Sequence, residues 1–558
     1  MRVKYVKPYI DKFYGMEKES YFHYNRDEAE PIIPYFVMDG GAAMFMRDRL
    51  HIKDSNALLD KVMSGDFFKL WYMNGQFDWD TVFKLPEQNT MRNYEWHIFL
   101  QRLYILMPLA VRFYKTGDKT YADKFYELLT DWMGKHPYEK LDASISYFQT
   151  GFYWRDMQVA WRTMSLCISV FFLEKAFDQE EWGFIYNTIK LHADHLYEEA
   201  LAHEVKGDAQ NHVLQVGTVL VYVGTLFPEF ENSLEYIRIG KIIIKQNLDK
   251  AIFPDGGSDE DSPSYSHFIA RLYFDAYMLL ENNGYENIEN IRESTEKQYE
   301  LAYQLSRING KTVPFNDCYI MDAHNDIRII ESVSDIKVSW QKKSVLFKDS
   351  NLAVLRCGDY EVFVDAMKHT AWHQHAGRPN FTAYYKGEPI VIDSGCTSYD
   401  RETLRNNLAS VSGHNAIYTK EGAFISCQDV EEDIKITEFI ENKKITIEGT
   451  VKAKDTEYFV KRTIYISENG IKVKDYAKSD TEYTYKLDMH LCDKRYKNSE
   501  REIKQLLGEH VLCVTCSESH SVEMRPSMND ESCIDISVVV STEQKTKEFE
   551  SEFVFEVK

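Results

Sequence analysis

What the chain lacks narrows its function first. Cysteines are few and odd in number, nine in 558 residues, and they are scattered. A small disulfide-stapled secreted fold needs dense, paired cysteines, so reduced thiols of a cytosolic protein are expected. Cys513 and Cys516 form the one Cys-x-x-Cys, without a second pair and inside an alternating run. A structural role there is favoured over metal or redox chemistry. Long hydrophobic runs are also missing. Stretches such as Val216 to Phe227 are too short and broken to span a bilayer. The N-terminus, MRVKYVKPYIDKFYGMEKES, has no apolar segment and no small-residue cleavage site. No secretory signal is therefore expected, and the location reads as cytoplasmic, although a trimmed secreted chain would read the same. Positive charge is in deficit, with 66 Lys and Arg against 88 Asp and Glu, a net of −22. Nucleic acids and anionic membranes need a positive field, so neither is expected as a partner; a local basic patch remains compatible with an anion. No strict repeat is visible, which argues against a solenoid.

What is present is a globular composition, 44% hydrophobic and 28% charged. The length suits about two to four domains. Aromatic residues make up 14%, with 37 Tyr and 9 Trp; they suit large cores and also sugar-stacking surfaces. Residues 30 to 335 carry a helical period. Tyr94 to Tyr114 sets Trp96, Phe99, Leu100, Leu103, Leu106 and Leu109 near one face, and Thr116-Gly117-Asp118 supplies a stop and a new N-cap. Further amphipathic runs follow at 121–133, 153–175, 180–203, 211–226, 233–250, 263–283 and 287–308. Past residue 340 the period becomes two, as in 352–355, 361–365, 389–393, 444–451, 463–466, 471–473, 533–541 and 549–557. Ser467-Glu468-Asn469-Gly470 reads as a hairpin turn. The expected architecture is a helical domain over 1–335 and an antiparallel β domain over 336–558.

Four segments concentrate polar residues that packing does not need. Gly207-Asp208-Ala209-Gln210-Asn211-His212 opens an apolar helix and offers an amide and an imidazole. Phe253 to His267 is a Gly-rich acidic loop entering a helix, and it presents Tyr265. Trp372-His373-Gln374-His375 puts two imidazoles on one face if the segment is a strand. Ile390 to Gly395 ends an apolar strand at Asp393, and Ser412-Gly413-His414-Asn415 adds another imidazole. Asp393 and His414 beside a His-x-His would complete a three-ligand nitrogen and oxygen site for zinc. Each segment also has a plain reading as a cap, a turn or a surface histidine.

Taken in order, these segments resemble the heparinase II/III-like polysaccharide lyases, a superfamily that includes alginate and oligoalginate lyases. The resemblance rests on Asn211-His212, Ser262-Pro263-Ser264-Tyr265, His373-Gln374-His375, Asp393 and His414, and it spans most of the chain from about residue 90. It implies an incomplete (α/α) toroid followed by an antiparallel β-sandwich. It implies that Asn211 neutralises a uronate carboxylate, with His212 beside it. Tyr265 and His373 match the catalytic tyrosine and histidine. His375, Asp393 and His414 match the ligands of a structural zinc ion, and no organic cofactor is implied. Two departures stand out: Ser266 separates Tyr265 from His267, and Ala376-Gly377-Arg378 follows His375 where an acidic residue is common. They bear on subfamily and substrate more than on the reaction.

The reaction so implied is β-elimination from a uronic acid. The C5 proton is weakly acidic while the carboxylate stays charged, so a site must neutralise that carboxylate and stabilise an enolate-like intermediate. A base takes the proton and an acid protonates the leaving O4. Tyr265 could be the acid, and also the base where both groups leave one face; otherwise a histidine is the base. A tyrosine base needs nearby positive groups, such as His212, His373 or Arg405. Arg155, Gln158, Trp372 and Arg405 are further candidates for sugar contact. The expected partner is an anionic uronate glycan, a glycosaminoglycan first and alginate second; nothing in the sequence fixes the oligomeric state. A glycoside hydrolase using Asp255, Asp259, Glu260 or Asp261, and a non-catalytic glycan-binding protein, are the competing readings.

Overall fold

A computed structural model describes residues 55–73, 76–80, 100–138, 152–173, 176–207, 209–370, 373–396, 402–492 and 495–558. Trp372 lies outside them. The chain groups into two compact units, which do not follow a single cut. One comprises 1–251, 269–295 and 329–336; the other comprises 252–268, 296–328 and 337–558. The helix Pro263–Asn282 runs from the second unit into the first.

The first unit is helical. Lys119–Lys135, Asp156–Phe172, Gln179–Lys206, Asn211–Leu226 and Ser233–Ala251 fall where the helical period places them. Gly117 ends the preceding helix at φ +67, and the Asp118 carboxylate caps the next by accepting from the Thr120 N–H. Asp156–Phe172 packs on Asn211–Leu226, which packs on Ser233–Ala251. That last contact is close because Gly217 and Gly240 face each other. A Cβ on Gly240 would lie 2.6 Å from the Gly217 carbonyl oxygen. The run Tyr94 to Tyr114 departs from expectation. Among its described residues 100–101 are helical, a turn with Leu103 at φ +54 interrupts, and a helix then runs Leu106–Thr116. Pro108 supplies the reason. Its missing N–H is harmless in a first turn, whereas in a longer helix its ring would clash with the carbonyl four residues back.

The second unit is built on a sheet of fifteen strands, all of whose pairings are antiparallel. The helix-then-strand order read from the sequence holds. Alternation is clear in Thr456–Ser467, where Tyr458, Val460, Ile464 and Ile466 are buried. Where the period suggested two strands at 533–541 and 549–557, a single strand spans Ile534–Val557. It pairs along much of its length with Gly470–Leu491, across an irregularity between Lys478 and Tyr483. These long strands carry one core, from Ile445 and Ile464 through Tyr485 to Val538 and Phe553. Cys513 and Cys516 are free, buried thiols in the strand His510–Cys516. Leu301, Leu305, Val313 and Phe315 pack in a second cluster with Phe347, Leu352, Phe363 and Tyr384. That apolar contact explains why 296–328 belongs with the sheet, and it carries Asn316-Asp317 there.

Candidate active site

In the helical unit the polar residues gather at helix starts. Asn211 is the first residue of Asn211–Leu226 and is buried, while His212 beside it is partly exposed. Asp156 opens Asp156–Phe172, the helix packed alongside, and its Oδ1 lies 3.3 Å from His212 Nδ1. Burial raises the Asp156 carboxyl, but His212, with the Met157 N–H and Arg102, holds it below the usual range. An acidic group in a first turn also suits the helix dipole. Arg155 is the N-cap residue of the same helix and makes no capping bond through its side chain. Gln158 is fully buried, and its Oε1 accepts from Arg102 Nε at 2.9 Å. Glu199 is a neighbour of Asp156 that the sequence did not single out. Burial, then the Asp156 charge, pushes its carboxyl up to about 8.

In the β unit a second cluster is assembled from four places in the chain. The loop before Tyr265 needs its glycines. Gly256 sits at φ +93, and a Cβ there would lie 2.6 Å from the Lys297 carbonyl oxygen. The loop is pinned by Asp255, which accepts from the Asp349 and Ser350 N–H groups at 2.8 and 2.9 Å. Pro263 then opens the helix, a position where its missing donor costs nothing. Ser264 Oγ accepts from the Tyr319 N–H at 3.0 Å. Tyr265 follows, its ring stacked on that of His373 at 3.7 Å between centroids and 22° between planes.

The His-x-His segment is not a strand, which corrects the expectation from alternation. His373 to His375 lies in a turn outside the named strands, and His373 adopts φ +75. The two imidazoles are brought together by Asp317, which the sequence reading missed. Asp317 Oδ1 lies 2.8 Å from His375 Nε2, and Oδ2 lies 3.1 Å from His373 Nδ1. Arg405 Nη2 donates to the same Oδ2 at 2.7 Å. Burial opposes the charge on Asp317, but Arg405 and the two histidines hold its carboxyl well below the usual range. On the far side of His373, Nε2 is 3.5 Å from the buried Glu260. Nothing in the local sequence marked Asp317, because Phe315-Asn316-Asp317-Cys318 has no periodic polar pattern.

His375, Asp393 and His414 do converge. Their ligand atoms lie within 4.8 Å of one another, the one such group among the described residues. All three are buried, at 0%, 0% and 1% exposure. His375 Nδ1 and His414 Nε2 have no hydrogen-bond partner in the protein. Orphaned nitrogens in a core cost about 1–3 kcal/mol each, so the donor set fits a cation. Two imidazoles and a carboxylate are a zinc-type set. Burial pushes the His375 imidazole down to about 4, which keeps it neutral and able to ligate. Burial raises Asp393, but the adjacent His414, 2.6 Å away, and the Gly395 N–H hold it below the usual range. His375 is oriented from behind by a carboxylate, as ligating histidines commonly are.

Comparison with known proteins places this architecture. A curated heparin-sulfate lyase from Bacteroides stercoris is 21% identical over 461 residues, 73% of this chain and 67% of the relative. Another, from Pedobacter heparinus, is 25% identical over 227 residues, 40% of this chain but only 33% of the relative. A crystal structure of heparinase III superposes with a TM-score of 0.75 at 15% identity, covering 99% of this chain and 92% of that one. It shows the fold, an (α/α) toroid followed by a β-sandwich. The family model for the heparinase II/III N-terminus matches residues 14–337, and that for the heparinase II/III-like C-terminal region matches 341–550. Helical unit and sheet are thus both accounted for, and the chain belongs to the heparinase II/III family.

Proposed function

We propose that the protein is a glycosaminoglycan lyase that breaks the bond at O4 of a uronic acid by β-elimination. The observation that carries this reading is the face-to-face stack of Tyr265 on His373, the latter held by Asp317. A phenol and an imidazole in contact supply an acid and a base for one substrate. With Nδ1 directed at Asp317, His373 takes the C5 proton through Nε2, and the Tyr265 hydroxyl protonates the leaving oxygen. Asn211 neutralises the uronate carboxylate, and His212, paired with Asp156, stands beside it. Arg155 supplies a cation for sugar contact at the same helix start, and Gln158 acts through Arg102. Arg405 contributes through Asp317. His375, Asp393 and His414 would hold zinc, whose part when bound is to fix the turn that carries His373. The substrate is anionic, and the names of the curated relatives favour the heparan type.

The hydrolase reading loses support because two of its four candidate carboxylates are committed elsewhere. Asp255 pins the Ser350 turn, and Asp261 is buried in an ion pair with Arg378 at 2.6 Å. No helix among the described residues is long and apolar enough to cross a membrane. The test is ultraviolet absorbance of the unsaturated uronate product on heparan sulfate, hyaluronan, chondroitin and alginate. A rise on heparan sulfate is expected, and no rise on any of the four overturns the proposal.

A further inference from the structure

We propose that Asp317 is a positioning residue that couples the His375–Asp393–His414 cluster to His373, so that the state of the metal site reaches the candidate base through one carboxylate. The role of His373 rests on the lyase reading; the coupling rests on geometry. Asp317 is fully buried and takes side-chain donors on both oxygens, His375 on Oδ1 and His373 and Arg405 on Oδ2. Its own N–H donates to the His373 carbonyl oxygen at 3.1 Å. Asn316, one residue earlier, accepts the His375 N–H on Oδ1 at 2.9 Å. The His-Gln-His turn is therefore gripped at both ends by Asn316-Asp317.

That grip answers a local cost. An L residue at φ +75, as His373 is, is strained relative to ordinary backbone. Such a conformation persists only where its surroundings over-determine it. No strand or helix does so at residue 373; the side chain and the N–H of Asp317 do.

The chemistry of a carboxylate explains the residue type. Both of its oxygens accept, so each imidazole points a proton at Asp317 and turns its other nitrogen away. For His375 that nitrogen is Nδ1, whose lone pair faces the metal cluster. For His373 it is Nε2, which faces Glu260 at 3.5 Å. Tyr265 covers the ring face, and Arg405 stands on the Asp317 side. An amide at 317 has one acceptor and one donor end, so it satisfies only one of the two imidazoles. When His375 gives its lone pair to a cation, its N–H binds Oδ1 more strongly and draws charge from Oδ2, because linked hydrogen bonds polarise one another. His373 feels the change through Oδ2.

The test uses the intact protein with ¹⁵N-labelled histidine. The His373 signal is assigned by its loss in His373→Gln, and zinc affinity is read by chelator competition. Stripping zinc from the wild type is expected to shift the His373 ring-nitrogen signals. Asp317→Asn is expected to weaken zinc binding by about 10–100-fold and to leave His373 indifferent to stripping. A wild-type His373 signal that does not move on stripping overturns the proposal, as does an Asp317→Asn variant with unchanged zinc affinity. The wild-type arm does not depend on the Asp317 variant, and exchanging zinc for cadmium gives the same comparison should stripping unfold the protein. None of these readouts uses glycan cleavage, so failure of the coupling is distinct from failure of the lyase reading.

Discussion

The helical unit and the β unit hold their polar clusters in different ways. In the helical unit, Asn211, His212 and Asp156 sit at helix starts, where the first N–H groups lack helical partners and polar residues belong. His212 and Asp156 are partly exposed, so their pairing is weakened by water. In the β unit, Asp317, His375, Asp393 and His414 are almost wholly buried, and their contacts join segments 21 to 88 residues apart. Burial there makes each polar contact strong and each missing partner costly. A helix end can offer a side chain to solvent with little support, whereas a turn such as His373 to His375 needs partners from several segments.

The sharpest way to break this comparison is Tyr265→Phe, which removes one hydroxyl and leaves the stacking ring. Turnover is expected to fall by about 10²–10⁴-fold with an unchanged melting temperature, read from product absorbance and calorimetry. Retained turnover would move the chemistry away from the β unit. Asn211→Ala tests the helical unit in the same assay. Loss of a donor aimed at developing charge is expected to cost about 10²–10³-fold in kcat, and a change confined to KM would demote Asn211 to simple binding.

His375→Ala probes the buried network itself. Zinc content is expected to fall to background, and the unpaired Asp317 oxygen to cost about 1.5–3 kcal/mol of stability. Undiminished zinc by elemental analysis would refute the ligand set.

The smallest effect concerns pH and the helical unit. The Glu199 carboxyl is raised by burial, then by Asp156, from its usual 4.5 to about 8. The folded protein therefore keeps a proton that the unfolded chain releases across that window, and stability declines as pH rises through it. Glu199→Gln is expected to flatten this decline, measured as urea midpoints at about pH 5 and pH 8. An unchanged slope would place the titration elsewhere.

The sequence by itself determined the order of helices then strands, several helix bounds, and the residues that match the family's ordered set. Helix and strand periods are local records of which face is buried, so Asn211–Leu226 and the 463–466 part of Thr456–Ser467 are legible without a structure. Tyr265 and the cluster residues His375, Asp393 and His414 were legible through the resemblance. Convergence of the three cluster residues was not. Their spacing carries no geometry, and only the fold sets their ligand atoms within 4.8 Å. The tertiary structure also decided that His373 to His375 is a turn, because the Asp317 clamp overrides the alternation that suggested a strand. Asp317 emerged only there, as did the place of Glu260 beside His373 and the pairing of Asp156 with His212. A hydrogen bond between residues tens of positions apart leaves no periodic trace in either segment, so its partners are chosen by packing, as when Phe315 and its neighbours dock on the sheet and bring Asp317 with them.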